Sequence, residues 1–277
     1  MGIIKAALVP HPPLIIPQIG GERRKEVNST IDSLKELSSE VVEADPDLLI
    51  TISPHGPVFQ DAVSVLAQEE VYGDFGDFGC SQVFFREQTD LDFVDLLQRK
   101  AGESNIELIS LSGKQRGRGG RIQNNELDHG VMVPLYYLKE AGLEMPLVAI
   151  TMGLLPYEKL FKFGYQIKKT VEEAGKRAVV VASGDLSHRL KPGAPAGYNP
   201  RGAKFDRKLV ELLEEKKFSE ILDMDQSLVK KAGECGLRPL IIMLGSLKGE
   251  QITVDIKSYE GPFGVGYAVA GFYQEEE

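Results

Sequence analysis

Short aliphatic runs alternating with stretches of helical periodicity are the feature that most constrains this chain. Ile3–Val9, Leu48–Ile52, Leu147–Met152 and Arg177–Ala182 have the length and composition of buried strands. Between them, Glu22–Glu43 places Val27, Ile31, Leu34, Leu37 and Val41 at helical spacing with charge on its other faces. Asp90–Lys100, Gly130–Ala141, Pro156–Ala174, Ala203–Leu222 and Leu237–Leu247 also read as helices. Strand and helix in this order predict an α/β fold with a largely parallel sheet and helices on both faces. The last segments, Ile252–Tyr259 and Gly264–Tyr273, alternate as strands around Glu260-Gly261-Pro262 and predict a closing hairpin, so the sheet is mixed. Ala62–Leu66, Ser81–Arg86 and Ile106–Leu111 are further strands. Val71–Cys80, glycine-rich with aromatics, reads as a loop beside the site; its Tyr72, Phe75 and Phe78, with Tyr198, are candidates to stack on a ring, and core packing is the alternative. No interdomain linker or repeat interrupts the pattern, and the expectation is one domain over residues 1–277.

Composition narrows the function. A net charge of −9 argues against a nucleic-acid footprint. Two cysteines, Cys80 and Cys235, imply no disulfide framework. The N-terminal apolar stretch is interrupted by His11 and prolines and reads as a first strand rather than a signal peptide. No apolar run approaches the ~18 residues of a membrane span. The expectation is a cytoplasmic protein without a membrane or nucleic-acid partner, and a homo-oligomer is the ordinary default.

The chain has four histidines, and three of them follow predicted strands: His11 after Ile3–Val9, His55 after Leu48–Ile52 and His188 after Arg177–Ala182. The fourth, His129, precedes a predicted helix with Asp128 as its N-cap. In an open α/β sheet the carboxyl ends of the strands form the ligand crevice. On neighbouring parallel strands His11 and His55, each fixed beside proline, share one rim and suit a divalent metal. The alternative is a pair of strand-capping imidazoles bonded to backbone. Glu234, just before the helix at Leu237, is the candidate third ligand, and helix capping is its alternative role. Cys235 beside it is either a soft ligand or a buried hydrophobe. His188 suits general acid–base work, with Asp185 or Ser187 orienting it or meeting substrate. His129 with Asp128 either polarises a substrate oxygen or caps its helix. The run 113–121, with Arg116, Arg118 and Arg121, is not a P-loop and reads as a solvated loop.

Pro10-His11-Pro12-Pro13, Ser53-Pro54-His55-Gly56, Leu127-Asp128-His129-Gly130, Ser183-Gly184-Asp185-Leu186-Ser187-His188 and Gly233-Glu234 occur in one order along the chain. In that order they resemble the catalytic chains of the class III extradiol ring-cleavage dioxygenases (the LigB-like family), to which Memo-like proteins are related. The resemblance covers about residues 3–272. It implies an α/β/α sandwich with the site at one end of the sheet. It further implies a non-haem Fe(II) held by His11, His55 and Glu234, with Zn or Cu as other ions. His188 is then the catalytic acid–base and His129 a histidine that contacts substrate or oxygen. The implied reaction opens the ring of a small aromatic diol with O2. A partner protein or domain covering the site belongs to the same resemblance. The Memo-like alternative is a metal-binding protein of redox, hydrolytic or scaffolding role without ring cleavage, and a third possibility is a metal-free binding module.

Overall fold

The structure is a computed structural model that describes residues 1–113, 115–116, 122–123 and 126–275. The strands are β1 (Gly2–Val9), β2 (Leu48–Ser53), β3 (Ala62–Leu66), β4 (Glu70–Phe75), β5 (Cys80–Gln88), β6 (Glu107–Leu111), β7 (Gln115–Arg116), β8 (Ile122–Gln123), β9 (Leu147–Thr151), β10 (Arg177–Ser183), β11 (Ile252–Glu260) and β12 (Tyr267–Gln274). The helices are α1 (Pro17–Gly20), α2 (Asn28–Glu43), α3 (Leu91–Glu103), α4 (His129–Glu140), α5 (Tyr157–Glu173), α6 (Pro200–Glu214), α7 (Phe218–Leu222), α8 (Gln226–Ala232) and α9 (Leu237–Ser246). Arg118 and Arg121 of the glycine- and arginine-rich run lie outside the described residues.

Among the described residues eight strands form one mixed sheet in the order β11-β12-β1-β10-β2-β9-β3-β6. The central four, β1, β10, β2 and β9, are parallel. Their carboxyl ends therefore share one rim. At one side β12 runs antiparallel to β1, with β11 outside it. At the other, β3 is antiparallel to β9 and parallel to β6. The four parallel strands are the aliphatic runs singled out in the sequence, and residues of each are buried on both faces. Alternate residues feed two cores. Ala6, Leu8, Ile50, Val148 and Val180 pack with α3, α5, α6 and α9, while Ala7, Val9, Leu49, Ala149 and Val181 pack with α2 and α4. This is the α/β/α sandwich.

The edge strand β11 is fastened by Lys257, whose Nζ lies 2.8 Å from Glu36 and 2.7 Å from Glu40 on α2, and 3.0 Å from Asp255. A buried lysine stem on an edge strand also discourages pairing with another chain.

Four details depart from the sequence reading. His11 and His55 do not follow neighbouring strands, because β10 lies between β1 and β2. The segment before α2 is a 3-10 helix, Gly21–Val27, which begins at a glycine with φ of 50°. The long helix at 203–222 is two, since Lys216 takes a left-handed φ of 56° and ends the first. Val71–Cys80 is the tip and one arm of a hairpin, β4 pairing with β5 in a separate ribbon. Its alternating burial, with Val71, Gly73 and Phe75 inward, is a strand pattern that glycines at 73, 76 and 79 obscure.

Candidate metal centre and acid–base site

Each histidine is delivered by a stiff local structure. Pro10 and Pro12-Pro13 flank His11, and a 3-10 turn, Pro13–Ile15, follows. The His11 amide donates to Asp185 Oδ1 at 3.0 Å, which ties the end of β1 to the loop leaving β10. His11 is 2% exposed and forms the floor of the site. His55 is its solvent-exposed member. Asp128 fixes His55 and His129 together. Its Oδ1 accepts from Ser53 Oγ at 2.5 Å and from the Gly130 amide at 2.8 Å, while Ser53 Oγ accepts the His55 amide at 3.2 Å. The expected N-cap of α4 is thus present. The same carboxylate also aligns the His55 and His129 rings, which stack with centroids 4.2 Å apart and planes at 27°.

Among the described residues His11, His55 and His129 are the metal-type ligand group whose donor atoms lie within 4.8 Å of one another. His11 Nε2 and His55 Nε2 are 2.9 Å apart. Two nitrogens bound at right angles to one ion, each at about 2.1 Å, stand about 3 Å apart. The pair therefore fits a divalent transition metal. His11 Nδ1 lies 2.9 Å from Ser183 Oγ, a partner that holds the ring in place from behind. Burial first and the neighbouring imidazoles second push the pKa of His11 well down. His55 is lowered by partial burial and by His188, and His129 is pushed down to about 4 by burial and by His55. At neutral pH these rings are uncharged and present lone pairs.

Two loops meet below the imidazoles. Gly184, after β10, and Gly236, before α9, approach so closely that a Cβ on Gly184 would stand 2.1 Å from Gly236 Cα. The amides of Cys235 and Gly236 donate to Asp185 O at 3.2 and 2.9 Å. This contact brings Cys235 Sγ to 3.6 Å from His11 Nε2. Burial, then the Asp185 carboxylate, raise the thiol pKa well above its ordinary value, so without a cation it is neutral.

Glu234 faces elsewhere. Its Oε2 accepts the Leu237 amide at 2.6 Å, the capping role open to it in the sequence. Burial raises its pKa to about 7, against the Leu237 amide and Arg238, with Asp206 adding to the rise. Arg238 and the nearby Tyr157 line a cleft of about 490 Å³ with Ser219, Asp223 and Gln226, and none of the four histidines borders it. As folded here, the chain brings His11, His55 and His129 together and leaves Glu234 outside that group.

His188 Nδ1 lies 2.6 Å from the Gly233 carbonyl, so Nδ1 carries the proton and Nε2 a lone pair. That Nε2 stands 3.8 Å from Asp185 Oδ2, too far for a hydrogen bond. Burial raises Asp185 to about 7, opposed by the His11 amide. Ser187 is not placed to meet a ligand. It is fully buried, its Oγ donates to Ala232 O at 2.9 Å and accepts the Arg189 amide at 3.0 Å, and it fixes the loop that presents His188. Beneath it, buried Asp206 accepts the Ser187 amide at 2.8 Å and the Tyr259 hydroxyl at 2.7 Å. The sequence reading missed Asp206, which looks like one more charge on an amphipathic helix. Of the aromatic residues singled out in the sequence, Phe78 has its ring 5.3 Å from that of His129, while Phe75 is buried in the core.

An α/β/α sandwich with clustered imidazoles at the carboxyl rim of its parallel strands defines a protein built around a metal-type site. Residues 5–270 match the family described as the catalytic LigB subunit of aromatic ring-opening dioxygenase, and the chain belongs to that family. A Clostridium acetobutylicum protein, CA_C1420, is 35% identical over 95% of this chain and 56% of its own length, so this chain spans little more than half of that relative. A MEMO1 family protein of Methanococcoides burtonii is 25% identical, with 81% of each chain covered. The 3,4-dihydroxyphenylacetate 2,3-dioxygenase of Escherichia coli is 24% identical over 87% of this chain and 89% of its own. The crystal structure of an uncharacterized protein, JW3007, from Escherichia coli K12 shares the fold, with a TM-score of 0.58 at 16% identity over 97% of this chain and 99% of that one. Among the described residues no helix is long and apolar enough to cross a membrane.

Proposed function

We propose that this chain, acting as one catalytic unit, is a non-haem Fe(II) dioxygenase that opens the ring of a catechol-like diol with O2. The observation that carries the reading is the pair of uncharged imidazoles, His11 and His55, with Nε2 atoms 2.9 Å apart beside a third at His129. His11 and His55 hold the ion, and the remaining donor comes from His129, Cys235 or a reoriented Glu234. An Fe(II) ion there supplies positive charge that acidifies a bound diol and a template on which the two substrates meet. His188 Nε2, whose lone pair is fixed by the Nδ1–H···O=C bond to Gly233, takes the hydroxyl proton of the diol and later returns it. Asp185 anchors the His11 backbone, and the Gly233 carbonyl holds the His188 ring. The test is anaerobic loading with Fe(II), then oxygen uptake with a panel of catechols. Uptake that disappears in His188→Ala, with iron still bound, supports the reading. Iron bound without uptake across the panel overturns it.

One observation favours a second reading. Cys235 Sγ lies 3.6 Å from His11 Nε2, and a soft donor at that place suits zinc or copper as well as iron. Likeness to MEMO1 family proteins agrees with a metal-binding protein of redox, hydrolytic or scaffolding role. Metal retained through purification, no oxygen uptake and a stable complex with a protein partner select it.

A further inference from the structure

We propose that Phe78, at the tip of the β4–β5 hairpin, sets the ligand preference of the histidine site by favouring ligands that carry a flat ring. The inference rests on His11 and His55 holding a cation, as argued above. Phe78 is 41% exposed, while the aromatic residues beneath it, Phe75 and Phe85, are buried. Its ring stands edge-on to His129 at 5.3 Å and 70°, and His129 in turn stacks on His55. An exposed phenyl next to polar donors is what an aromatic ligand needs on its apolar side, because an edge-to-face or offset partner adds attraction beyond the area it covers.

The wall is rigid. Phe78 packs on Phe75 with centroids 6.3 Å apart, and Phe75 on Phe85 at 6.1 Å. The Leu127 amide donates to Tyr72 O at 2.8 Å, which ties β4 to the segment that leads into His129. Gly73 makes that approach possible, since a Cβ there would stand 2.8 Å from both Leu127 O and Met132 Sδ. At the tip, Asp74 Oδ1 accepts the Gly76 amide at 2.6 Å, and Gly79 turns the chain with φ of 75°. The hairpin therefore moves as one piece with His129, and a ligand ring meets Phe78 already in place, with little ordering cost.

Two probes with comparable chelating oxygens separate shape from metal affinity: 4-nitrocatechol, which carries a ring, and acetohydroxamate, which does not. They are titrated under argon into Fe(II)-loaded parent, Phe78→Ala and Phe78→Tyr proteins, with direct Fe(II) titrations and melting curves alongside. Phe78→Ala is expected to weaken 4-nitrocatechol about tenfold and acetohydroxamate by less than about twofold, with iron affinity unchanged, and Phe78→Tyr to restore the parent preference. Equal weakening of both probes, or no weakening of 4-nitrocatechol, overturns the inference and leaves the metal site standing. A parent protein that binds no Fe(II) overturns the proposed function and this inference together.

Discussion

The Glu234–Cys235 step decides the chemistry at the scale of single residues. Consecutive side chains on a turn point apart, and here the carboxylate caps α9 while the thiol approaches His11. Loading with Fe(II) or Zn(II) followed by metal analysis is expected to show losses of about tenfold or more in affinity for His11→Ala and His55→Ala. Cys235→Ala is expected to lower affinity more than Glu234→Gln does. The reverse order would mean that Glu234 swings to the ion on binding. The histidines were legible in the sequence because each follows a strand or precedes a helix whose pattern is plain. The orientation of Glu234 was not, because which of two adjacent residues faces a site is set by the turn geometry of Gly233 and Gly236, and no periodicity reports it. The hairpin that carries Phe78 was hidden for a related reason: glycines at 73, 76 and 79 make it look like an irregular loop.

The decisive contact between elements is the crossing of the β10–α6 loop and the α8–α9 loop at Gly184 and Gly236. It holds His188 over Gly233 and brings Cys235 beneath His11. Any side chain at Gly184 meets the Gly236 backbone, which has no flexible end to yield. Gly184→Val is expected to cost about 1–3 kcal/mol of stability and to reduce metal binding by more than that loss of folded protein explains. Chemical denaturation and metal titration on the same sample check both. The four parallel strands were legible because continuous aliphatic runs need cover on both faces. Their order was not, since the insertion of β10 between β1 and β2 is a choice among pairings that local sequence does not encode. The break between α6 and α7 at Lys216 was missed because a lone left-handed lysine leaves hydropathy unchanged.

Across the described residues, burial is the first cause of raised pKa values in Asp185 and Glu234, at about 7, in Asp206, at about 6, and in Asp128 and Glu87. A carboxyl whose pKa is higher folded than unfolded binds its proton more tightly in the native state. Each of these carboxyls therefore contributes stability that is lost as pH rises from the ordinary carboxylate range through its folded value, while the lowered imidazoles of His11, His55, His129 and His188 contribute in the opposite sense, gaining as pH rises toward the ordinary imidazole value. Asp206 isolates the effect best, since it is fully buried and its shift is set by burial, opposed by the Ser187 amide and the Tyr259 hydroxyl, with no imidazole among its causes. Its share between pH 5 and pH 7 is roughly 1 kcal/mol. Asp206→Asn is expected to shift the slope of urea midpoint against pH upward relative to the parent over that interval, and an unchanged slope would assign the effect to other groups.

β1 precedes the other strands of this sheet along the chain, yet its partners are β10 and β12. On the ribosome, its aliphatic residues must wait for segments beyond residue 177 before they find their places, a long-range closure of the kind that slows folding. His11 travels with that waiting strand. On the proposed reading, ion capture is therefore a late event in the life of the nascent chain, because a growing polypeptide that has not yet released its second half has not closed the cage around His11.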